Sequence, residues 1–229
     1  MQYQSKKDFE NFKKKNKFSL CYIIEKKSNL KKIELLIENV LRKTNSFIFE
    51  SVEKARTRGR YTIFGFQPDL ILELKNKNIF INKKKISNKL SPKKFLDNFI
   101  NKFNYQVPSH LPPMSVLLSG YLGYDIIRYF EKIPDNNIDD LRIPDVKLIR
   151  PTFTYIHDNQ TNKLFYIKLQ FNKKKTNYSK EISKLQEQII YDLIQFPIEK
   201  TKKNKNKDKK IKSNFTKKKF LNLVRRAKK

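Results

Sequence analysis

Tryptophan is absent from the 229 residues, and cysteine, methionine, histidine and glycine number only one, two, two and four. A lone cysteine, Cys21, excludes an internal disulfide framework, and with only His110 and His157 beside it a Cys/His metal cage is excluded too. No stretch approaches the ~20 apolar residues that span a bilayer, and the opening MQYQSKKDFENFKKKNK carries no apolar run of the signal-peptide kind. The expectation is a soluble, cytoplasmic protein without a membrane partner. The four glycines form neither a G-x-G-x-x-G spacing nor a loop followed by GK[ST], so no phosphate-binding loop is present. His110 sits in a proline loop and His157 at a hairpin end, where each reads as a surface or packing histidine rather than a member of a Ser-His-Asp triad.

Acid is also scarce. Twenty-two Asp+Glu face 52 Lys+Arg, for a formal net charge of +30, yet residues 201–229 hold fourteen Lys/Arg against one Asp and so account for +13 of it. The remaining +17 is spread over 200 residues in which lysine mixes with Asn, Ile, Phe and Tyr, and alanine occurs only at Ala55 and Ala227. Those favoured residues share A/T-rich codons, so the charge reads mainly as genome bias and is weak support for a nucleic-acid partner. Asp135, Asp139 and Asp140 lie in an acidic loop that reads as solvated. With 38% hydrophobic and 13% aromatic residues the chain has enough to bury a core, in one large or two small domains.

Periodicity outlines the elements. FSLCYIIE alternates Phe18, Leu20, Tyr22 and Ile24 on one face, a strand pattern; Leu30, Ile33, Ile37, Val40 and Leu41 recur at helical spacing over residues 30–43. SFIFESV and GRYTIFGF read as strands, Pro68 as an interruption, and DLILELK with NIFINKKKI as a hairpin closed through Asn76-Lys77. Ser91-Pro92 opens a helix with a stripe of Phe95, Phe99 and Phe103. SVLLSGYLGY reads as a strand, DIIRYFEK as a helix, TFTYIHD and KLFYIKLQF as a hairpin across NQTN, and residues 178–195 as an amphipathic helix. KTKKNKNKDKKIKS reads as a solvated linker, after which Thr216 caps a further helix with Phe220, Leu223, Val224 and Ala227 on one face. The expected fold is α+β, with largely antiparallel pairing.

The glycines fall in two segments, ESVEKARTRGRYTIFGFQPDLI and SGYLGYDIIRYFEKIPD. In so glycine-poor a chain each marks a place where a side chain does not fit. Between them, Glu50, Ser51 and Glu53 are followed closely by Arg56, Arg58 and Arg60. Such a group binds a zwitterion, the carboxylate taking an ammonium and the hydroxyl or arginine a carboxylate; the alternative is a surface turn laced with weak ion pairs.

On these residues the sequence resembles the amino-terminal portion of anthranilate synthase component I. SFIFESVEKARTRGRYTIFGFQPDLI is similar to that family's block of a strand ending in Glu-Ser, a basic turn, Gly-Arg-Tyr-Ser/Thr and Gly-x-x-Pro-Asp. SGYLGYDIIRYFEKIPD resembles its Gly-Tyr-Leu-Gly-Tyr-Asp block, IPDVKLIRPTFTYIHD its Pro-Asp…Arg-Pro-Thr…Asp strand pair, and FTKKKFLNLVRRAKK the opening helix of its chorismate-utilising domain. Lys54-Ala55 stand where a glycine pair is common, and Leu118-Ser119 replace a glycine-rich lead-in.

The resemblance implies half of a β-sandwich with helices outside, incomplete without a carboxy-terminal domain. Its segments would be residues 1–196 as the amino-terminal domain, 197–213 as a basic linker and 214–229 as the first helix of a truncated chorismate-utilising domain. It further implies an enzyme converting chorismate and ammonia or glutamine into anthranilate and pyruvate in tryptophan biosynthesis, with Mg²⁺ and a glutamine amidotransferase subunit, component II. The family's chorismate and Mg²⁺ ligands lie in the carboxy-terminal domain, so no catalytic residue carries over and this chain alone is expected to be inactive. The feedback site for L-tryptophan carries over onto Ser51 and Glu50, and the motif residues Gly59, Arg60, Tyr61, Gly120, Gly123 and Asp125 onto structural positions. The aminodeoxychorismate synthase subunit, a relative with the same fold, and a basic nucleic-acid-binding protein stand as alternatives.

Overall fold

The computed structural model describes residues 1–50, 59–87, 89–103, 105–134, 139, 141–171, 176–194, 213 and 215–228. The chain divides into two compact units, Met1–Gln195 and Phe196–Lys229.

The first unit is an antiparallel, curled sheet with flanking helices, as the sequence predicts. Its strands are β1 (Gln2–Tyr3), β2 (Ser19–Glu25), β3 (Phe47–Phe49), β4 (Tyr61–Lys75), β5 (Asn78–Ile81), β6 (Lys84–Lys85), β7 (Ser119–Leu122), β8 (Val146–Asp158) and β9 (Lys163–Gln170). They run in the order β1-β2-β9-β8-β4-β5-β6, with β3 added on β4 and β7 on β8. The helices are α1 (Lys6–Lys15), α2 (Leu30–Leu41), α3 (Pro92–Asn101) and α4 (Tyr178–Asp192).

Each helix begins where a side chain satisfies an otherwise unpaired amide. Ser5, Asn29, Ser91 and Asn177 accept from Asp8, Lys32, Lys94 and Ser179 N–H, and Pro92 opens α3 without a donor to lose. At its far end α4 is tied down from inside: Asn39 Nδ2 donates to the carbonyls of Asp192 (2.8 Å) and Ile194 (2.9 Å). The fully buried Asp192 carboxylate accepts from Tyr155 Oη (2.7 Å) and pairs with Lys43.

β2 is buried on both faces. Cys21 and Ile23 join Phe64, Tyr155, Tyr166 and Leu36 in one cluster, under α2 and α4, while Phe18, Leu20, Tyr22 and Ile24 join Ile156 and Ile167 in another on the opposite face. At ~1.5–3 kcal/mol per buried large apolar side chain, this double burial outweighs any propensity term in placing β2. A third cluster, around Leu72, Leu74, Leu96 and Val146, sits under α3. Phe95 and Phe99 pack against its edge, and the buried residue of the helix is Leu96 rather than the expected phenylalanine stripe.

Three expectations are corrected. Pro68 does not end a strand: β4 runs unbroken for 15 residues, with a register shift between Pro68 and Leu70 and Gln67 at φ 51°. Pro68 lies opposite Pro151 of β8, so the two residues without an N–H occupy one rung, beside a bulge where proline is tolerated. NIFINKKKI is not one strand. Asn76-Lys77 close the first hairpin as expected, and Asn82-Lys83 close a second one, all four residues at positive φ as two-residue turns of this kind require. Finally, SVLLSGYLGY is a strand only over Ser119–Leu122, and DIIRYFEK gives a 3₁₀ turn, Tyr124–Tyr129, in place of an α-helix.

In the second unit α5 (Lys217–Ala227) is capped by Thr216, with Phe220, Leu223 and Val224 exposed. Among the described residues no helix is long and apolar enough to cross a membrane.

Candidate functional site

Three of the motif blocks meet along the β4–β8 pair, which two arginine–aspartate clamps fasten. At one end Tyr61 lies opposite Asp158. Arg60 Nη2 donates to Asp158 Oδ2 at 2.9 Å and Nε reaches both carboxylate oxygens at 3.3 Å, with the guanidinium 4.8 Å from the Tyr61 ring centre. On the far side of the bulge Arg150 makes a two-pronged contact with Asp69, Nε to Oδ1 at 2.7 Å and Nη2 to Oδ2 at 2.5 Å, and stacks 3.5 Å from the Phe171 centroid. Planar, bidentate pairing of this kind fixes orientation as well as charge. Gly-Arg-Tyr and Pro-Asp of one block thus face Asp158 and Arg-Pro of another.

Asp158 is almost wholly buried, which alone would raise its pKa. Hydrogen bonds from Arg60, the Gln160 amide and Thr161 outweigh that and hold the carboxyl below the usual carboxylate range. Arg60 is held above its ordinary value chiefly by its hydrogen bond to Asp158. Gly59, at φ 78°, turns the chain into β4, and its carbonyl accepts from Asn159 Nδ2 at 2.9 Å. That contact settles a tautomer. A carbonyl can only accept, so Asn159 presents Oδ1 to His157 Nδ1 (2.7 Å), which must carry the proton. His157 Nε2 is buried and has no hydrogen-bond partner among the described residues, the surroundings of a packing histidine.

Beside the Arg60–Asp158 clamp opens a cleft of ≈ 610 Å³ with Tyr61, Leu111 and Phe165 in its wall and Lys163 and His110 at its rim. His110 Nε2 lies 2.8 Å from Tyr22 Oη. Burial, the largest cause, and the nearby Asp8 raise Tyr22's pKa, so it stays a phenol at neutral pH. The cleft offers cations over an apolar floor and suits an anion with a hydrophobic body.

Gly120 and Gly123 hold the second motif against β8. Gly120 has φ +150°, and a Cβ there would lie 1.9 Å from the Lys147 carbonyl oxygen. Gly123 N–H donates to the Asp145 carbonyl at 2.7 Å. Asp145 is a hub the sequence reading did not single out. Its carboxylate accepts from Tyr129 Oη (2.7 Å) and Asn76 N–H (3.2 Å), and its own N–H donates to Leu74 O (2.8 Å). Asp125 pairs with Arg128 one turn on (3.1 Å) and is exposed. Glu50 is exposed just past β3, and Ser51 lies outside the described residues. Among the described residues no group of three or more His, Cys, Asp or Glu could hold a metal ion.

Residues 44–229 match the family described as chorismate binding enzyme. The chain belongs to that family. Within it, 133 residues are 33% identical to anthranilate synthase component 1 of Cereibacter sphaeroides, covering 55% of this chain and 27% of that protein. Over 151 residues it is 30% identical to the component 1 of Pseudomonas aeruginosa, covering 62% and 30%. The chain therefore spans less than a third of the curated relatives it matches. The solved structure of anthranilate synthase component I from Streptococcus pneumoniae shares its fold, with a TM-score of 0.52 and 21% identity over 67% of this chain and 33% of that one.

Proposed function

We propose that this chorismate-binding family chain is the amino-terminal, feedback-regulatory part of an anthranilate synthase component I. The observation that carries the reading is the double clamp. Both arginine–aspartate pairs are built from the blocks by which the chain resembles that enzyme. The neighbours named anthranilate synthase component 1 support it, each matched over less than a third of its length.

In this reading Glu50 takes the ammonium of L-tryptophan and Ser51 its carboxylate, the second wall of the pocket coming from the chorismate-utilising part of the enzyme. The clamps hold the frame from which that edge projects. Chorismate and Mg²⁺ are held by the remainder of the enzyme; Mg²⁺ there neutralises carboxylate charge on the substrate, and the residues of this chain take no part in binding it. A glutamine amidotransferase subunit, component II, supplies ammonia, and the setting is cytoplasmic tryptophan biosynthesis.

Two measurements test this. The purified chain with chorismate, ammonia and Mg²⁺ is expected to give no anthranilate fluorescence, and signal above the no-enzyme control would refute the division of labour. Isothermal titration of L-tryptophan is expected to show binding only when a separately expressed chorismate-utilising domain is present. No binding in either mixture removes Glu50 and Ser51 as a feedback site.

A further inference from the structure

A separate cavity of ≈ 530 Å³ opens between α4 and the β8–β9 hairpin, next to the bulge in β4, and nothing in the reading above uses it. Its lining includes Phe153, Lys168, Gln170, Lys184, Glu187 and Gln67.

Lys168 is only 4% exposed. It pairs with Glu181, itself 3% exposed, which engages one of the three ammonium donors, and among the described residues the other two have no acceptor. A buried ammonium carries a large desolvation penalty, and an apolar residue of similar size would fill the space at lower cost. Its spare donors are what an anion entering the cavity would meet. Lys184 and Glu187 stand three residues apart on α4, hence on one side of the helix, and both are exposed without an ion-pair partner among the described residues.

The neutral side chains complete the set. Gln67 sits at φ 51°, a left-handed conformation seldom adopted by a residue with a Cβ, just ahead of the register shift between Pro68 and Leu70. Its amide and that of Gln170 make no side-chain hydrogen bond among the described residues, and the buried Phe153 ring gives the cavity a flat apolar side. Opposite charges one helical turn apart, a buried ammonium with unused donors and two free amides match one kind of small molecule.

We propose that this cavity binds a free α-amino acid with a short polar side chain, its carboxylate on Lys168 and Lys184, its ammonium on Glu187 and its side chain on the Gln67 and Gln170 amides. The site involves neither Glu50 nor Ser51 and does not rest on the proposed tryptophan response.

The test is titration of the full 229-residue chain with L-glutamine as probe, followed by calorimetry and by amide chemical shifts. Saturable binding with shifts confined to Phe153, Lys168, Gln170 and α4 is expected. Glu187→Gln should weaken L-glutamine by about tenfold or more while leaving acetate unchanged, and Lys184→Ala should weaken both. Both positions are exposed on α4, so neither variant disturbs the core; matching far-UV spectra and melting temperatures establish that. No saturation into the millimolar range, shifts mapping elsewhere, or acetate binding as tightly as L-glutamine with Glu187→Gln indifferent would each overturn the proposal.

Discussion

Arg60 and Asp158 are 98 positions apart in the chain and touch only because β4 and β8 align over their full length. Each contributes something different: the arginine is half exposed and the aspartate is buried. Replacing Asp158 by Asn keeps the shape and removes the charge, and should cost about 1–2 kcal/mol at neutral pH, less than a buried pair because water screens Arg60. Since the folded-state pKa of Asp158 is depressed, its stabilisation is fully present above the unfolded value near 3.9 and is lost as pH falls through the lower, folded value. Urea unfolding should therefore show the gap between wild type and Asp158→Asn narrowing in strong acid. A constant gap would mean the charge was irrelevant. Gly120 poses the steric counterpart. Gly120→Ala should cost at least about 2 kcal/mol, because the obstruction is backbone and the φ is unfavourable, whereas Gly123→Ala, whose Cβ would stand 3.1 Å from the Asp145 carbonyl oxygen, should cost less. Denaturant midpoints of the two variants check the order. The scarcity of glycine made both positions visible in the sequence, but it could not say which had the forbidden φ. That depends on the Lys147 carbonyl, a contact made through β8.

Elements held by local rules were legible, and those held by distant partners were not. The starts of α2, α3, α4 and α5 follow from a capping side chain ahead of an apolar stripe, all within a few residues. DIIRYF has a helix-like pattern too, yet it forms a 3₁₀ turn because Tyr129 is tied by its hydroxyl to Asp145. That tether overrides local propensity, and no window around Tyr129 contains it. Similarly, Pro68 looks like a strand breaker until Pro151 is placed across from it. The site was legible in part: the motif blocks were found, but their pairing as Arg60–Asp158 and Arg150–Asp69 needs the register of two long strands. The Lys168–Glu181 pair joins α4 to β9 and gives a test at this scale. Glu181→Gln leaves a buried ammonium unmatched and should destabilise by about 3–5 kcal/mol, whereas Lys168→Met with Glu181→Leu should recover most of the loss. Thermal melts of the single and double variants decide it.

For the whole molecule the dominant number is the charge of +30, of which residues 201–229 carry +13. If genome bias explains it, affinity for nucleic acid is non-specific and lies in the tail. Deleting residues 197–229 should then abolish most duplex-DNA binding and flatten its salt dependence, as read by fluorescence anisotropy at two ionic strengths. Retention of tight, salt-steep binding by residues 1–196 would point to a basic face on the sheet. The same deletion should leave the melting temperature of the first unit nearly unchanged, since the cores lie within Met1–Gln195.

The facing prolines, Pro68 and Pro151, concentrate their damage at one point of the β4–β8 seam. In the native register their missing amides fall on a single rung. A slide of β4 by one residue leaves the same two donors missing, so the prolines themselves favour no register; what the slide costs is burial, because it turns the apolar set of β4 to the wrong face of the sheet. What the native alignment does is gather both gaps beside the bulge, where the ladder is already interrupted. Two residues usually counted as sheet breakers thus share a single fault line, and the rungs on either side of it stay paired.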